Sequence, residues 1–466
     1  MKLSEKVLLG VLLGAVFSFS LGTVFILALF LTAICLIKCI KTDSRSFLIK
    51  LFIFGFALRV LLAFANYNIA LMVMHQGVDT QPDAVIYNNN AYYLAHLIKG
   101  FDYSFEAAKD PALDFSMKNE DKWLKGMIPT SLRLYQHGLY VRFLSLIYAW
   151  LGYCPLAMKA LNCLFGSGSA ILIYLIARHL SGSETVSKVS AAVAMFFPSL
   201  VFWSATLLRD TIVNFIFLMY MISLLIYIKS AKKTALALAL PSIAILNLFK
   251  EHIMPLLVIG LIFVLTAGMV KKMFKMKRYV TLLAAVFIII GLSIMLLPKA
   301  YSRLSELRGR VISVIGQQQS YSVDRVAATY RLFKSSLYES HKFRLRDLFD
   351  PSLSFSALKG LAYFFLSPFP WRAPYDHFWL LIFYPQAILT FIFLPFILIG
   401  LLVSARRDIY VTAVMVLVLA LIIIPNALAE GVIGIVVRHR DMFTPFLIIF
   451  ASYGFCSLML PKNTSK

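Results

Sequence analysis

Residues 48–74 read LIKLFIFGFALRVLLAFANYNIALMVM, and the polar, aromatic stretch QPDAVIYNNNAYYLAHLIKG follows at residues 81–100. Because a helix needs roughly 20 apolar residues to cross a bilayer, the first run predicts a membrane span. Pro82 and Asp83 predict that a helix starts after it, since proline disfavours helix before itself and a carboxylate accepts free N–H groups. Asp83 and Tyr87 would share one face of that helix. The sequence therefore predicts a carboxylate and a phenol at a membrane surface.

The composition of the whole chain is typical of a protein with many membrane spans. Its 466 residues are 60% hydrophobic and include 39 Phe, and the mean hydropathy of +0.82 exceeds that of soluble domains. The first apolar run lacks a small-residue cleavage site, and many similar runs follow it. We therefore expect a retained anchor rather than a signal peptide. The fold class predicted is an all-α polytopic membrane protein.

The charge of the chain bears on its expected partners, and its cysteine content bears on disulfides and zinc sites. The formal net charge is +23, from 45 Lys and Arg against 22 Asp and Glu. Cytoplasmic loops are usually basic, but two long loops predicted on the opposite face are basic as well, and such surfaces attract anionic lipids. The basic residues are spread over loops instead of forming one domain, so we expect no nucleic-acid partner. Five cysteines without a CxxC motif predict neither a structural disulfide nor a zinc site.

Apolar runs and basic loops together predict about twelve spans, with both termini in the cytoplasm. The expected spans are a hairpin within 6–40 that turns at 18–22, and single crossings at 48–74, 155–178, 186–205, 211–228, 234–248, 253–270, 279–297, 377–403, 409–425 and 442–460. Apolar stretches at 140–153 and 354–371 predict interfacial helices. We find no sequence repeat of the kind common in inverted-repeat transporters.

These predictions divide the chain into five regions. They are N-terminal transmembrane helices (1–74), a first outer loop with the catalytic motif and interfacial helices (75–153), a central transmembrane bundle (154–298), a second outer loop (299–375) and C-terminal transmembrane helices (376–466).

Four stretches carry a resemblance to a known family. In chain order they are PDAVIYNNNAYYLA (82–95), LYVRFLSLIYAWLGYCPLAMKALNCLFGSGSAILIYLIARHLSG (139–182), FFPSLVFWSATLLRDTIVNFIF (196–217) and GVIGIVVRHRDMFTPFLIIFASYG (431–454). In this succession the chain resembles the membrane glycosyltransferases of the GT-C fold. Within that class it resembles the bacterial relatives of protein O-mannosyltransferases and lipid A aminoarabinose transferases, the glycosyltransferase family 39-like enzymes.

The resemblance implies a multi-pass enzyme of the bacterial inner membrane. Such an enzyme transfers a sugar from a polyprenyl-phosphate carrier to a glycan, lipid or protein acceptor on the non-cytoplasmic face. In that family an acidic residue early in the first outer loop acts near the reacting sugar, and Asp83 matches it. A second acidic residue begins a later helix at the same surface, and Asp210 matches it.

The chemistry expected of the acidic residues follows from their position. A carboxylate within hydrogen-bond reach can take the proton of an attacking hydroxyl, which we assign to Asp83. Asp79 could replace it, and we assign Asp79 and Tyr87 to substrate positioning. The alternative for Asp83 is a helix cap. For Asp210 it is a cap or an ion pair with the preceding Arg209.

Basic residues near the end of the chain are candidates for the carrier phosphate. Arg438, His439 and Arg440 stand at a predicted outer boundary, and the planar guanidinium suits a departing phosphate. We assign Arg438 and Arg440 to phosphate binding and His439 to positioning or structure, with headgroup snorkelling as the alternative. Lys250 interrupts an apolar hairpin, where charge is costly, and could help to hold phosphate or pair with Glu251.

Cofactor and mechanism stay open at this stage. Asp83 and Asp210 could hold a divalent cation against the phosphate, but no spacing motif supports a metal. The enzymatic alternative is a polysaccharide polymerase or ligase that uses a diphosphate-linked carrier. The alternative from another class is a lipid or solute transporter, which typically has ionisable groups at mid-membrane and paired broken helices.

Overall fold

The computed structural model describes residues 21–73, 78–99, 138–230, 233–250, 253–274, 351–371, 383–429 and 433–459. Within them the protein is 89% helix without strands, which confirms the predicted all-helical class. The helices are α1 (Leu21–Cys39), α2 (Arg45–Asn68), α3 (Pro82–Lys99), α4 (Gly138–Leu151), α5 (Pro155–Ser181), α6 (Glu184–Phe196), α7 (Pro198–Ser204), α8 (Asp210–Ser230), α9 (Leu236–Phe249), α10 (Met254–Phe274), α11 (Pro351–Leu366), α12 (Tyr384–Arg407), α13 (Ile409–Ala429), α14 (Ile433–Arg440) and α15 (Thr444–Met459).

Five of these helices are long and apolar enough to cross a membrane, and seven crossings result if each of two bent helix pairs is one span. The five are α1, α2 with its π-helical end Ile69–Val73, α5, α8 and α12. This confirms a polytopic membrane protein. The predicted turn at 18–22 lies largely outside the described residues, as do the span at 279–297 and most of both outer loops, and Gly22 is helical.

One predicted single span is a broken helix, and another begins at a helix break. The run at 186–205 is predicted as a single crossing, but α6 and α7 within it meet at 55°. Phe197 has an extended backbone at φ −67° and ψ 124°, as expected for a residue before Pro198. The run at 442–460 likewise starts after a break, where α14 and α15 meet at 63°.

Two of the shorter helices match predicted elements. Helix α4 corresponds to the apolar stretch at 140–153 and ends at Leu151, just before Gly152, whose φ of +82° favours glycine. Helix α11 ends at Leu366, before Pro368 and Pro370. By contrast, α9 has 14 residues, so at 1.5 Å per residue it extends roughly 21 Å. A bilayer core is about 30 Å thick, so this helix is too short for an upright span.

The chain forms two compact units, described separately below. The first consists of Met1–Leu172 and Leu200–Ile216. In it α1 packs on α2 through Phe30, whose ring lies 5.7 Å from that of Phe52 and 4.8 Å from that of Phe56. A small core of Ala63, Cys163 and Ala205 joins α2, α5 and the segment after α7. This packing fixes the start of α8.

The second unit consists of Ile173–Ser199 and Phe217–Lys466. Its tightest packing is between α12 and α15, where Gly400 faces Phe450 and Gly454 faces Phe396. Glycines allow two membrane helices to approach this closely because they have no side chain between the backbones. Helix α6 also packs on α15, through Val186, in a cluster with Tyr453 and Cys456 to which Val403 of α12 adds.

Candidate functional site

A buried carboxylate, Asp79, lies at the centre of the first unit, just before α3. Its Oδ1 accepts a hydrogen bond from the N–H of Gln81 at 3.0 Å, and its Oδ2 accepts one from the N–H of Leu207 at 2.9 Å. The ammonium of Lys159 lies 2.9 Å from Oδ2, and both side chains of this ion pair are fully buried. Asp79 therefore links the start of α3 to the segment that precedes α8.

The cation of this pair is itself hydrogen-bonded. Lys159 on α5 donates to Oδ1 of Asn66 on α2. The amide nitrogen of Asn66 donates in turn to Oγ1 of Thr80, at 2.7 Å. A buried ion pair is tolerated when further hydrogen bonds satisfy its charges, and Asn66 supplies one of them.

The segment between α7 and α8 is held by two further polar side chains. Asn162 on α5 donates to the carbonyl oxygens of Thr206, at 2.7 Å, and Leu208, at 2.9 Å. Arg59 on α2 donates through Nε to Oγ of Ser204 at 2.9 Å. The bonds from Asn162 give the backbone of an irregular segment the partners that it needs away from water. Together with Asp79, which lies just before α3, α2 and α5 thereby fix the segment that leads into α8.

Asp210 begins α8 and is buried. The charge of Asp210 acts on the Tyr140 phenol of α4. Burial raises the pKa of Tyr140 well above its ordinary value, and a hydrogen bond with Asn162 lowers it in part. The nearby Tyr87, Asp79 and Asp210 raise the pKa of Tyr140 further. The rings of Tyr87 and Tyr140 meet edge to face, with centroids 5.4 Å apart. The neutral Tyr140 hydroxyl therefore lies within the electrostatic influence of two carboxylates, Asp79 and Asp210, and of one other phenol, Tyr87.

Hydrogen bonds of Asn88 also hold α3 against α4. Oδ1 of Asn88 accepts a hydrogen bond from the Tyr148 hydroxyl at 2.8 Å, and its Nδ2 donates to the Tyr153 hydroxyl at 2.9 Å. These hydrogen bonds and the ring contact between Tyr87 and Tyr140 together hold α3 against α4.

The sequence-predicted residues of the first unit differ in their surroundings. Helix α3 starts at Pro82, as predicted, with Asp83 exposed in its first turn. Tyr87, one turn later, is buried against Tyr140, so the expected common face is divided between solvent and core. Asp79 touches protein groups on both carboxylate oxygens, which is the contact pattern of a residue that positions the chain. The catalytic role of Asp83 stays a prediction.

The predicted phosphate-binding arginines lie in the second unit. Arg440 is buried at the end of α14, and its Nη1 donates to the carbonyl oxygens of Phe365, at 2.9 Å, and Ser367, at 2.5 Å. These carbonyls belong to the end of α11, where helices leave acceptors without intrahelical partners. Arg438 and His439 are half-buried on the same helix.

Lys250 ends α9 at the predicted turn, and it is buried. Its N–H donates to the carbonyl oxygen of Leu246 at 2.7 Å. The neighbouring Glu251 and His252 lie outside the described residues. The phosphate-binding roles of Lys250 and of the arginines stay predictions.

The sequence analysis missed a buried carboxylate in the second unit. Oδ1 of Asp441 accepts hydrogen bonds from Oγ of Ser199, at 2.8 Å, and from Oγ1 of Thr444, at 3.0 Å. Asp441 stands at the break between α14 and α15, and Ser199 lies one residue past the start of α7. The two helix breaks are therefore joined by a hydrogen bond.

The sequence analysis also missed Lys159, Tyr140 and Asn162. Lys159 carried a usable signal, since a charge inside an apolar run is costly and marks a function or a buried partner. Nothing in the spacing distinguished Tyr140 or Asn162 from the other polar residues of their helices. Their importance depends on which helices pack together.

No group of three or more His, Cys, Asp and Glu side chains that could hold a metal ion occurs in the described part of the chain. The question of a divalent cation between Asp83 and Asp210 stays open.

Comparisons of the chain with models of protein families, curated proteins and solved structures give no match. The GT-C resemblance therefore stands on the sequence stretches alone.

Proposed function

We propose that the chain is a membrane glycosyltransferase of the GT-C type, which moves a sugar from a polyprenyl-phosphate carrier to an acceptor on the non-cytoplasmic face. The observation that carries the proposal is the grouping of the Asp210 carboxylate and the Tyr140 phenol where α8 begins, next to the backbone that Asp79 holds. A carboxylate and a neutral hydroxyl together are suited to hold the hydroxyls of a sugar. The exposed Asp83 stands one turn from Tyr87 on α3.

The ends of the long helices support the outer location of this group. Lys229 of α8 donates to the carbonyl oxygen of His179, and Arg407 of α12 donates to that of Ser181, so the basic ends of α5, α8 and α12 lie together. Basic ends favour the cytoplasm. Helix α8 has 21 residues, so it extends roughly 31 Å, about one bilayer core. Asp210, at its other end, would then be at the outer face.

The proposed reaction is a direct displacement at the anomeric carbon of the donor sugar. The acceptor oxygen attacks the anomeric carbon, and the bond from that carbon to the carrier phosphate oxygen breaks with inversion. The acceptor proton passes to the Asp83 carboxylate, and the carrier leaves as a phosphate anion. We assign the binding of that anion to Arg438, Arg440 and Lys250, and the orientation of the sugar to Asp210. Asp79 acts as a positioning residue, because it holds the backbone of Leu207.

The test is sugar transfer by the purified protein in nanodiscs, with a panel of radiolabelled polyprenyl-phosphate sugars and a cell-envelope extract as acceptor. Asp83→Asn should lose roughly 10²- to 10⁴-fold in rate while still binding carrier. Asp43→Asn, an exposed carboxylate between α1 and α2, is the matched control and should keep full activity. An unaffected Asp83→Asn protein would refute the role of Asp83. Long products formed only from diphosphate-linked donors would favour the polymerase or ligase alternative.

One observation favours a second candidate function, a transporter. Transporters often bind their cargo where two helices are broken, and here Ser199 and Asp441 connect two such breaks. Translocation of a fluorescent carrier lipid in proteoliposomes tests this alternative. Transport that is lost in Asp441→Asn but kept in Asp83→Asn, without sugar transfer by either, would establish the transporter and exclude the enzyme.

A further inference from the structure

Helix α12 presents an apolar stripe that ends in an arginine. Leu394, Leu398, Leu402 and Arg406 follow one another at intervals of four residues, so they lie along one face. The three leucines are 39%, 57% and 62% exposed, and Arg406 is exposed as well. Such a face combines the two parts of a phospholipid site, an apolar surface for an acyl chain and a cation at headgroup level.

Other basic residues lie at the same end of the second unit as Arg406. Arg407 and Lys229, both exposed, donate to carbonyl oxygens at the end of α5, whereas no hydrogen bond or ion pair involves Arg406 within the described ranges. Of the two carboxylates in this region, Glu184 lies 3.5 Å from Arg178, and Asp408 accepts a hydrogen bond from the N–H of Val411. The remaining charge at the end of α12 is positive.

We propose that this face binds an anionic phospholipid of the adjacent leaflet. The phosphodiester would be held by Arg406, whose planar fork suits two phosphate oxygens. Arg407 and Lys229 add to the local positive potential, and an acyl chain would lie along Leu402 and Leu398. The occupant is a lipid rather than a soluble phosphate because only a lipid covers the stripe and the cation together. The inference is independent of the proposed glycosyl transfer.

The experiment is native mass spectrometry of the delipidated full-length protein in detergent, titrated with phosphatidylglycerol or phosphatidylcholine. We expect phosphatidylglycerol to bind more tightly than phosphatidylcholine. Arg406→Gln should weaken the binding of phosphatidylglycerol roughly five-fold, which is the effect of one basic residue at a membrane surface. The matched control is Arg45→Gln, an exposed arginine at the start of α2 whose only described bond is a 3.5 Å contact with the carbonyl oxygen of Ile40. It should bind phosphatidylglycerol as the wild type does.

A leucine double variant and competition by inorganic phosphate test the apolar part of the site and the identity of the occupant. The double variant Leu398→Ser with Leu402→Ser should weaken the binding of both lipids, because the apolar contact is common to them. Phosphatidylglycerol should still bind more tightly than phosphatidylcholine. Inorganic phosphate should not displace bound lipid. Equal binding of the two lipids, an equal loss in Arg45→Gln, or displacement by phosphate would overturn the proposal. Unchanged thermal unfolding of each variant shows that the comparison concerns binding and not folding.

Discussion

At the scale of single residues, Lys159 neutralises the carboxylate on which the contacts around α8 converge. Both members of the Lys159–Asp79 pair are fully buried. A buried pair adds little stability over apolar residues of the same size, yet removing one partner is costly, since the remaining charge stays in a medium of low polarity. Lys159 is therefore a sensitive probe of the site.

We predict that Lys159→Met destabilises the protein by about 3–5 kcal/mol, because Asp79 is left as an uncompensated buried charge. The double variant Lys159→Met with Asp79→Asn should recover much of this loss, because it removes the charge and keeps an amide oxygen that can accept a backbone N–H bond. Thermal unfolding in detergent measures both. Lys38→Met, at the exposed end of α1, is the control. A double variant no more stable than the single one would contradict this account.

Arg440 gives the second prediction at this scale. Its Nη1 bonds the end of α11, so Arg440→Gln should cost roughly 1.5–3 kcal/mol of stability through the loss of charged hydrogen bonds. The control is Lys50→Gln, at an exposed position of α2, which should leave stability nearly unchanged. Unfolding temperatures and carrier binding are measured together. Loss of carrier binding in Arg440→Gln at unchanged stability would contradict the predicted stability cost and leave only the proposed phosphate-binding role of Arg440.

At the scale of elements, the contact between α12 and α15 allows only glycine at two positions. A Cβ on Gly400 would lie 1.8 Å from the carbonyl oxygen of Phe450, and one on Gly454 would lie 2.0 Å from that of Phe396. These are backbone atoms, which cannot move aside as the end of a side chain can. The two helices would have to separate.

We therefore predict that Gly400→Val lowers the free energy of unfolding by roughly 1–3 kcal/mol or more. The unfolding temperature should fall sharply as a result. The control is Gly260→Ala on α10, where the nearest atom to a new Cβ is the Tyr220 hydroxyl at 3.2 Å. That substitution should have a much smaller effect. Equal unfolding temperatures for Gly400→Val and the wild type would show that the helices are not in this contact.

At the scale of the whole molecule, the topology can be tested by chemical labelling. If the basic ends of α5, α8 and α12 face the cytoplasm, Asp408→Cys in a cysteine-free background should react with an impermeant maleimide only in permeabilised cells. Asp83→Cys should react in intact cells. The reverse pattern would place the group around Asp210 on the cytoplasmic side and remove the basis for transfer on the outer face.

Much of the helix pattern could be predicted from local sequence. Pro82 and Asp83 predicted the start of α3, and the prolines at 368 and 370 predicted the end of α11, because backbone restrictions act within a few residues. The break before Pro198 carried the same signal and was missed, since hydropathy alone suggested a continuous span. Asp83 and Asp210 were selected by resemblance and position.

The sequence by itself determined that this is an all-helical membrane protein and where most of its described helices begin and end, because apolar runs and helix-terminal residues act locally. Only the tertiary structure decided that Asp79 pairs with Lys159, that Tyr140 lies beside the charges of Asp79 and Asp210, and that Ser199 bonds Asp441 across 242 positions. Those contacts join residues far apart in the chain. They follow from how the helices pack, which no local pattern specifies.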